Sequence, residues 1–188
     1  MMTSRFFALL AALPLILPLA FSAPALSDHE DPSQTLVMET SKGTIRIRLA
    51  HDFAPKHAER LKTLSQEGFY DGVVFHRVIE GFMAQTGDPT GTGTGGSSYP
   101  DLKAEFSAVP FERGTLGMAR SQSPNSANSQ FFIVYERSDW LDGQYTVVGK
   151  VIEGMDVADA LKKGDRANNG MVDGPDKIVR MRLASDTQ

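Results

Sequence analysis

The segment of residues 75–85 combines side chains that could bind a ligand. Where this segment is extended, Arg77, Met83 and Gln85 share one face, which places a guanidinium and an amide beside an apolar side chain. A fixed cationic donor next to apolar surface is typical of binding sites. Because arginine is mostly exposed in proteins, the segment alone indicates equally well an arginine solvated at a strand edge.

Histidine is the other side chain that could do chemistry near neutral pH, and the chain has four. His29 lies near the N-terminus, His51 and His57 flank a predicted helix, and His76 stands alone in an apolar context. Their spacing matches no metal-ligand pattern. No nucleophile-elbow sequence supplies an activated serine for His76. The sequence therefore predicts no metal site, no cofactor and no hydrolytic triad.

A glycine-rich run covers residues 91–96, and its glycines formally match a dinucleotide-binding fingerprint. A phosphate cradle needs a strand before the run and a helix N-terminus after it. Here Pro89 precedes the run and Pro100 follows it closely, and neither flank supplies that geometry. We expect a surface loop with unusual backbone dihedrals instead.

Several elements that could position these side chains are visible in the residue pattern. The runs at residues 36–39 and 44–49 flank a Ser-Lys-Gly turn, and the alternation of apolar and charged residues in the second run predicts a β-hairpin with one buried side. Pro55 opens a predicted amphipathic helix, with Gly68 where a C-terminal cap is expected. A second helix is predicted over residues 155–163. A strand is predicted over residues 177–183, with Val179, Met181 and Leu183 facing inward.

Between the helices, short apolar runs at residues 73–75, 131–134 and 146–148 are separated by loops rather than by helical spacers. This arrangement favours a mostly β fold, namely a closed or nearly closed antiparallel barrel capped by two helices. Residues 87–100 and 120–129 form long polar loops, and loops of that length are often functional.

The composition fits one ordinary globular domain, with 41% hydrophobic and 22% charged residues and no cysteine. Thiolate catalysis and cysteine-ligated metals are thereby excluded. The formal net charge of −4 and the absence of a basic cluster argue against nucleic acid as a partner.

The N-terminus has the pattern of a secretory signal. Arg5 is the only charged residue before position 28, and residues 6–21 are apolar apart from two prolines. We expect cleavage after Ser27, with Ala25 as the alternative, because small residues stand at both sites. An uncleaved anchor is the competing interpretation, but the apolar run is shorter than the roughly 20 residues that span a bilayer. The expected organisation is a signal peptide (1–27), a polar leader (28–33), one domain (34–184) and a short tail (185–188).

Four motifs, taken together and in order, resemble the cyclophilin family of peptidyl-prolyl cis/trans isomerases. They read FHRVIEGFMAQTGD (75–88), GTLGMA (114–119), NSQFFI (128–133) and WLDG (140–143). The resemblance extends over nearly all of residues 34–184. It implies a closed eight-stranded antiparallel β-barrel capped by two α-helices, with a substrate groove on the outer face of the barrel.

The resemblance also implies roles for individual residues. The catalytic arginine of the family falls on Arg77, and His76 and Gln85 complete the catalytic group. The remaining expected substrate-binding residues line the groove: Phe82, Met83, Ala119, Gln130, Phe132, Trp140, Leu141 and Tyr145. Trp140 corresponds to the tryptophan that contacts the drug cyclosporin A in the family.

Two positions depart from the family pattern. Tyr145 replaces a histidine, and the loop of residues 120–127 is one residue longer than in the common eukaryotic form. In that loop, Arg120 is the candidate for the backbone contact to substrate.

The resemblance implies a monomeric isomerase that acts on proline-containing polypeptides, and together with the signal pattern it predicts a periplasmic enzyme that assists the folding of exported proteins. It would be free of the membrane after signal cleavage. A proline-binding or chaperone-like module with incidental catalysis is the alternative.

Overall fold

The structure, a computed structural model, describes residues 31–187. The predicted signal peptide and most of the predicted leader lie outside the described residues. No helix within residues 31–187 combines the length and the apolar character needed to cross a lipid bilayer.

The first two strands of the described residues form the predicted β-hairpin. Strand β1 (Thr35–Thr40) pairs antiparallel with β2 (Gly43–Leu49), and Met38 lies opposite Ile45. Both side chains are fully buried. The alternation of apolar and polar residues in β2 is what buries one face of the hairpin, so this prediction is confirmed.

Two helices follow the sequence pattern to different extents. Helix α1 (Pro55–Gln66) begins at the predicted proline and buries Ala58, Leu61 and Leu64. Helix α2 (Met155–Asp159) is shorter than predicted. The chain leaves α2 early because the Lys162 amide donates to the Asp176 carboxylate at 2.8 Å, a contact distant in sequence.

Six further strands complete one antiparallel sheet: β3 (Arg77–Ile79), β4 (Met83–Thr86), β5 (Thr115–Met118), β6 (Phe131–Val134), β7 (Val147–Glu153) and β8 (Ile178–Leu183). Their order across the sheet is β3-β4-β6-β5-β7-β2-β1-β8. The mostly β, eight-stranded, two-helix architecture agrees with the prediction.

Closure of the barrel is not confirmed, because the edge strands β3 and β8 form no ladder with each other. An isolated bridge joins Val74 to Lys177, and a second joins Arg77 to Met171 in a loop. The predicted strand at residues 73–75 forms only this bridge and two backbone hydrogen bonds beside it, from Phe75 N–H to the Asp176 carbonyl and from Ile178 N–H to the Val73 carbonyl. Strand β3 itself has three residues. The sheet is therefore curled and open at this seam.

Val179 does not face inward as predicted, since 49% of its surface is exposed. Arg180 pairs with Glu39 whereas Ile178 pairs with Thr40, so Val179 is an extra residue on its strand. A bulge of this kind shifts the alternation by one residue.

The buried apolar side chains form two clusters. The larger fills the space between the sheet and the two helices. The smaller lies on the other face, around Phe111, Phe132 and Leu141, with Phe82 and Tyr145 packed at its edge. The smaller cluster positions the candidate site.

Candidate active site

A β-hairpin brings the predicted cationic and amide groups together. Arg77 in β3 lies directly opposite Gln85 in β4, and Ile79 lies opposite Met83. The residue pattern predicted Arg77, Met83 and Gln85 on one face of a single extended segment, but Gly81 turns the chain with φ of +73°. Glycine adopts that conformation without strain. The side chains thus meet across two strands.

The Arg77 guanidinium is held by neutral acceptors. It donates from Nε to the Asn169 carbonyl at 2.9 Å, from Nη2 to Asn169 Oδ1 at 3.1 Å and from Nη1 to Gln85 Oε1 at 3.2 Å. Arginine has five N–H donors, so two remain for a ligand. Burial lowers the pKa of Arg77, but a guanidinium stays charged at neutral pH. The result is an oriented cation with free donors.

Gln85 belongs to a chain of hydrogen bonds that determines its orientation. Its Nε2 donates to Gln130 Oε1 at 2.9 Å, and Gln130 Nε2 donates to the carbonyls of Gly93 at 3.1 Å and Gly95 at 2.8 Å. The glycine carbonyls accept only, so they fix which end of each amide faces which neighbour. Gln85 therefore presents its oxygen to Arg77.

The glycine-rich loop is anchored by the buried carboxylate of Asp88. Oδ1 accepts from the backbone and the hydroxyl of Thr90, and Oδ2 accepts from the amides of Thr92, Gly93 and Gly95 at 2.6–3.1 Å. The positive φ of Gly91 and Gly93 confirms the predicted unusual loop. Burial raises the pKa of Asp88, but these hydrogen bonds outweigh it and hold the pKa at about 2.

The apolar half of the site rests on Phe132. Its ring stacks on Phe111 with centroids 5.9 Å apart and meets Tyr145 edge-on at 5.8 Å. A Cβ at Gly117 would lie 2.4 Å from Phe132 Cζ and 2.7 Å from Phe111 Cε1. At position 117 in β5, only glycine leaves room for the stacked rings of Phe132 and Phe111. At the rim, Trp140 is 61% exposed and contacts Phe82 with centroids 5.6 Å apart.

A cavity of about 480 Å³ opens between Arg77 and this apolar floor. It is lined by the predicted residues Arg77, Phe82, Met83, Gln85, Ala119, Phe132, Trp140, Leu141 and Tyr145, together with Arg120 and Gln144. A neighbouring cavity of about 560 Å³ is lined by Gln130, the glycine-rich loop and residues 119–121. Gln85, Ala119 and Arg120 line both cavities and form the wall between them.

Arg120 and Tyr145, which sit at the two departures from the family pattern, contact each other. The Arg120 guanidinium lies over the Tyr145 ring, 4.4 Å from its centroid. It also donates to the carbonyls of Ser121 at 2.9 Å, Gln122 at 3.3 Å and Gln144 at 3.1 Å. Tyr145 thus supplies an aromatic wall of the cavity, and the Arg120 guanidinium packs over its ring.

His76 is the one predicted site residue that lines neither cavity. It is buried, with only 2% of its surface exposed, and neither ring nitrogen has a hydrogen-bond partner within the described chain. Burial lowers its pKa, so the ring is neutral at pH 7. Its role in catalysis stays a prediction.

Three residues that matter to the geometry were not predicted. Asn169 holds Arg77 from a turn with φ of +52°, Asp88 anchors the loop, and Gly117 makes room for Phe132. An Asn-Gly pair signals a turn, and a glycine inside a strand signals close approach, so two of them leave a local trace in the sequence. The residues that they contact leave no such trace, because those residues lie far away in the sequence.

Within residues 31–187, no group of three or more histidine, aspartate or glutamate side chains is arranged to hold a metal ion. The arrangement instead offers an oriented guanidinium at one end of an apolar cavity. Such a site can bind a small apolar ring while donating a hydrogen bond to a polar atom beside it.

Comparison with known proteins gives a consistent result. Residues 35–183 match the model of the family described as cyclophilin type peptidyl-prolyl cis-trans isomerase/CLD. A probable peptidyl-prolyl cis-trans isomerase of Brucella suis is 51% identical over 181 residues, covering 90% of this chain and 92% of that protein. A peptidyl-prolyl cis-trans isomerase of Synechococcus elongatus is 46% identical over 132 residues, which is 69% of this chain and 90% of that protein.

Solved structures agree with these sequence relatives. The crystal structure of a Cryptosporidium parvum cyclophilin type peptidyl-prolyl cis-trans isomerase in the presence of the dipeptide Ala-Pro has a TM-score of 0.74 and 32% identity, covering 80% of this chain and 98% of that one. The cyclophilin AquaCyp293 of Hirschia baltica has a TM-score of 0.74 and 29% identity over 83% of this chain and 76% of that one. On the match over almost the whole described domain, this chain belongs to the cyclophilin-type peptidyl-prolyl cis-trans isomerase family.

Proposed function

We propose that this chain isomerises X-Pro peptide bonds with the proline ring in the 480 Å³ cavity and the Arg77 guanidinium beside the prolyl nitrogen. Family membership identifies the activity as peptidyl-prolyl cis-trans isomerisation. The observation that carries the assignment of residues is the pair of free Arg77 donors next to the Phe132 floor.

The physical problem is the barrier to rotation. A peptide bond resists rotation by roughly 18–20 kcal/mol because the nitrogen lone pair is delocalised into the carbonyl. Twisting the bond returns the lone pair to nitrogen. A guanidinium N–H then finds an acceptor that the planar bond lacks, so Arg77 binds the twisted state more strongly than the planar state. No proton transfer is needed.

The remaining residues keep this donor in position and keep the ring in place. Asn169 and Gln85 hold the guanidinium from two sides, which limits its rearrangement during the reaction. Phe132 and Leu141, each only 5% exposed, supply apolar surface for the ring. To shorten the uncatalysed exchange from tens of seconds to milliseconds, the enzyme must accelerate it about 10⁴–10⁵-fold, which corresponds to roughly 5–7 kcal/mol of the barrier. One charge-assisted contact, positioning and desolvation together are of that size.

A protease-coupled proline-isomerisation assay on the purified protein tests this function. A proline-binding or chaperone-like module would bind the peptides, for example with a change in the fluorescence of its single tryptophan, Trp140, without accelerating the exchange. Acceleration of cis-to-trans exchange supports the isomerase, and binding without acceleration contradicts it.

The physiological setting is a second part of the proposal. Arg5, the apolar run of residues 6–21 and the small residues up to Ser27 support export to the periplasm with signal cleavage, where a monomeric enzyme would assist the folding of exported proteins. Intact-mass analysis of the protein from a periplasmic fraction tests this. A mass that begins at Asp28 supports it, and a mass that retains Met1 contradicts it.

A further inference from the structure

The groove contains two arginines whose charges have no acidic partner. Elsewhere, Arg113, Arg137 and Arg182 each contact a carboxylate. Among the described residues, no carboxylate lies within 4.0 Å of Arg77 or Arg120. Every hydrogen bond that these two guanidinium groups donate goes to a neutral carbonyl or amide oxygen.

Arg120 is held firmly although its charge is not neutralised. Its position over Tyr145 and its three bonds to backbone carbonyls fix the guanidinium at the wall between the two cavities. One N–H of Nη2 remains unused, and Nε is buried without an acceptor. A partly buried cation without a counter-charge favours an anionic ligand, because the ligand supplies the missing charge.

The lining of the cavities limits where an anion can sit. The proline cavity is lined by Arg77 and Arg120 and by no acidic residue. The neighbouring cavity contains Asp101, which accepts a hydrogen bond from Asn128 Nδ2 at 3.0 Å. An acidic side chain placed deep in that second cavity would be repelled by Asp101. An acidic side chain that crosses the shared wall beside the proline would meet Arg120 first.

We infer that Arg120 determines substrate specificity, and that it favours polypeptides with an aspartate or glutamate immediately beside the isomerised proline. This inference rests on the proposed function and adds a substrate class to it. The protein as a whole carries a formal charge of −4, so long-range attraction does not explain such a preference. The preference is local to the groove.

The test compares kcat/KM for short peptides with Glu, Gln or Lys placed either before or after the proline. The intact protein, Arg120→Gln, Arg120→Lys and the control Arg113→Gln are assayed at low and high salt. Arg113 is a matched control because it pairs with Asp159 and lines neither cavity.

We expect kcat/KM of the parent to be about threefold or more higher for the Glu peptide than for the Gln peptide at one of the two positions, and lower for the Lys peptide there. A threefold ratio corresponds to about 0.7 kcal/mol, the size expected of a partly exposed ion pair. High salt should reduce the ratio. Arg120→Gln should bring the ratio close to one, Arg120→Lys should restore part of it, and Arg113→Gln should leave it as in the parent. A role of Arg120 only in holding Tyr145 would instead lower kcat/KM equally for all three peptides.

Equal kcat/KM for Glu and Gln peptides at both positions in the parent would overturn the inference while leaving the isomerase intact. A preference that survives in Arg120→Gln would overturn it too. If no peptide were isomerised, the proposed function would fail. The Glu-to-Gln ratio of Kd, followed by Trp140 fluorescence, would then still decide the charge preference.

Discussion

Asp88 is the residue whose replacement should expose the link between the glycine-rich loop and the site. We predict that Asp88→Asn lowers the free energy of unfolding by about 2–4 kcal/mol at pH 7. The pKa of Asp88 falls from 3.8 to about 2 in the folded protein, which corresponds to about 2.4 kcal/mol. An asparagine also turns an NH₂ group toward amides that now donate to a carboxylate, which leaves buried donors without an acceptor.

The pH dependence of this effect has a definite sign. Because the folded pKa of Asp88 lies below the unfolded value, the stabilisation is complete above pH 4 and is lost as the pH falls toward 2. The difference in unfolding free energy between parent and Asp88→Asn should therefore shrink between pH 4 and pH 2. Urea denaturation followed at several pH values measures it.

The same variant should lose activity, because the loop carbonyls of Gly93 and Gly95 orient Gln130 and, through it, Gln85. Asp159→Asn is the matched control. That carboxylate lies in an exposed pair with Arg113, whose loss costs about 1 kcal/mol or less. If Asp88→Asn were as stable as the parent within about 0.5 kcal/mol, or if the difference did not change with pH, the assignment of Asp88 as the loop anchor would be wrong.

Three further predictions concern the floor, the rim and the core. Phe132→Ala should weaken isomerisation and lower the free energy of unfolding by about 3–5 kcal/mol, because the Phe132 ring is buried against Phe111. A melting curve beside the kinetics separates the two effects, and unchanged kcat/KM in the folded variant would contradict the role of Phe132 in the cavity. Trp140→Phe should weaken cyclosporin A binding more than it lowers isomerisation of a small peptide, because the indole is exposed at the rim of the cavity and is not assigned to the chemistry. If the drug did not inhibit the parent at micromolar concentration, the expected cyclosporin A site at Trp140 would be refuted. Burial lowers the pKa of His57 although Glu105 raises it, so the free energy of unfolding should fall as the pH drops below about 6.5. Denaturation between pH 7.5 and 5 measures this decrease, and an identical pH slope in His57→Gln would contradict the assignment to His57.

The elements set by local pattern were predictable, and those set by distant contacts were not. The hairpin of β1 and β2 and the buried face of α1 follow from apolar spacing alone. The bulge at Val179 depends on pairing with Glu39 and Thr40, which lie far away in the chain. The early end of α2 depends on Asp176 in the same way. Neither contact can be predicted from the local periodicity of the sequence.

The candidate site shows the same division. The cluster of Arg77, Gln85 and Phe132 was expected from motifs that resemble those of a known family, and the structure places all three around one cavity. The supporting contacts of Asp88 and Asn169 were missed, because each depends on where a loop folds back in space. A resemblance transfers residue types at motif positions, but not the hydrogen bonds that hold them.

The proposed mechanism depends on stabilisation of the twisted prolyl bond by the Arg77 guanidinium. The most direct measurement is kcat/KM for Arg77→Ala and Arg77→Lys beside their unfolding free energies. Arg77 holds no acidic partner and contributes little to the core, so both variants should remain folded, with stability within about 1 kcal/mol of the parent. Isomerisation by Arg77→Ala should fall by about tenfold or more. Arg77→Lys should recover only part of the loss, because an ammonium cannot reproduce the forked contacts to Asn169 and Gln85. A folded Arg77→Ala protein that isomerises X-Pro bonds as fast as the parent would contradict this role of Arg77.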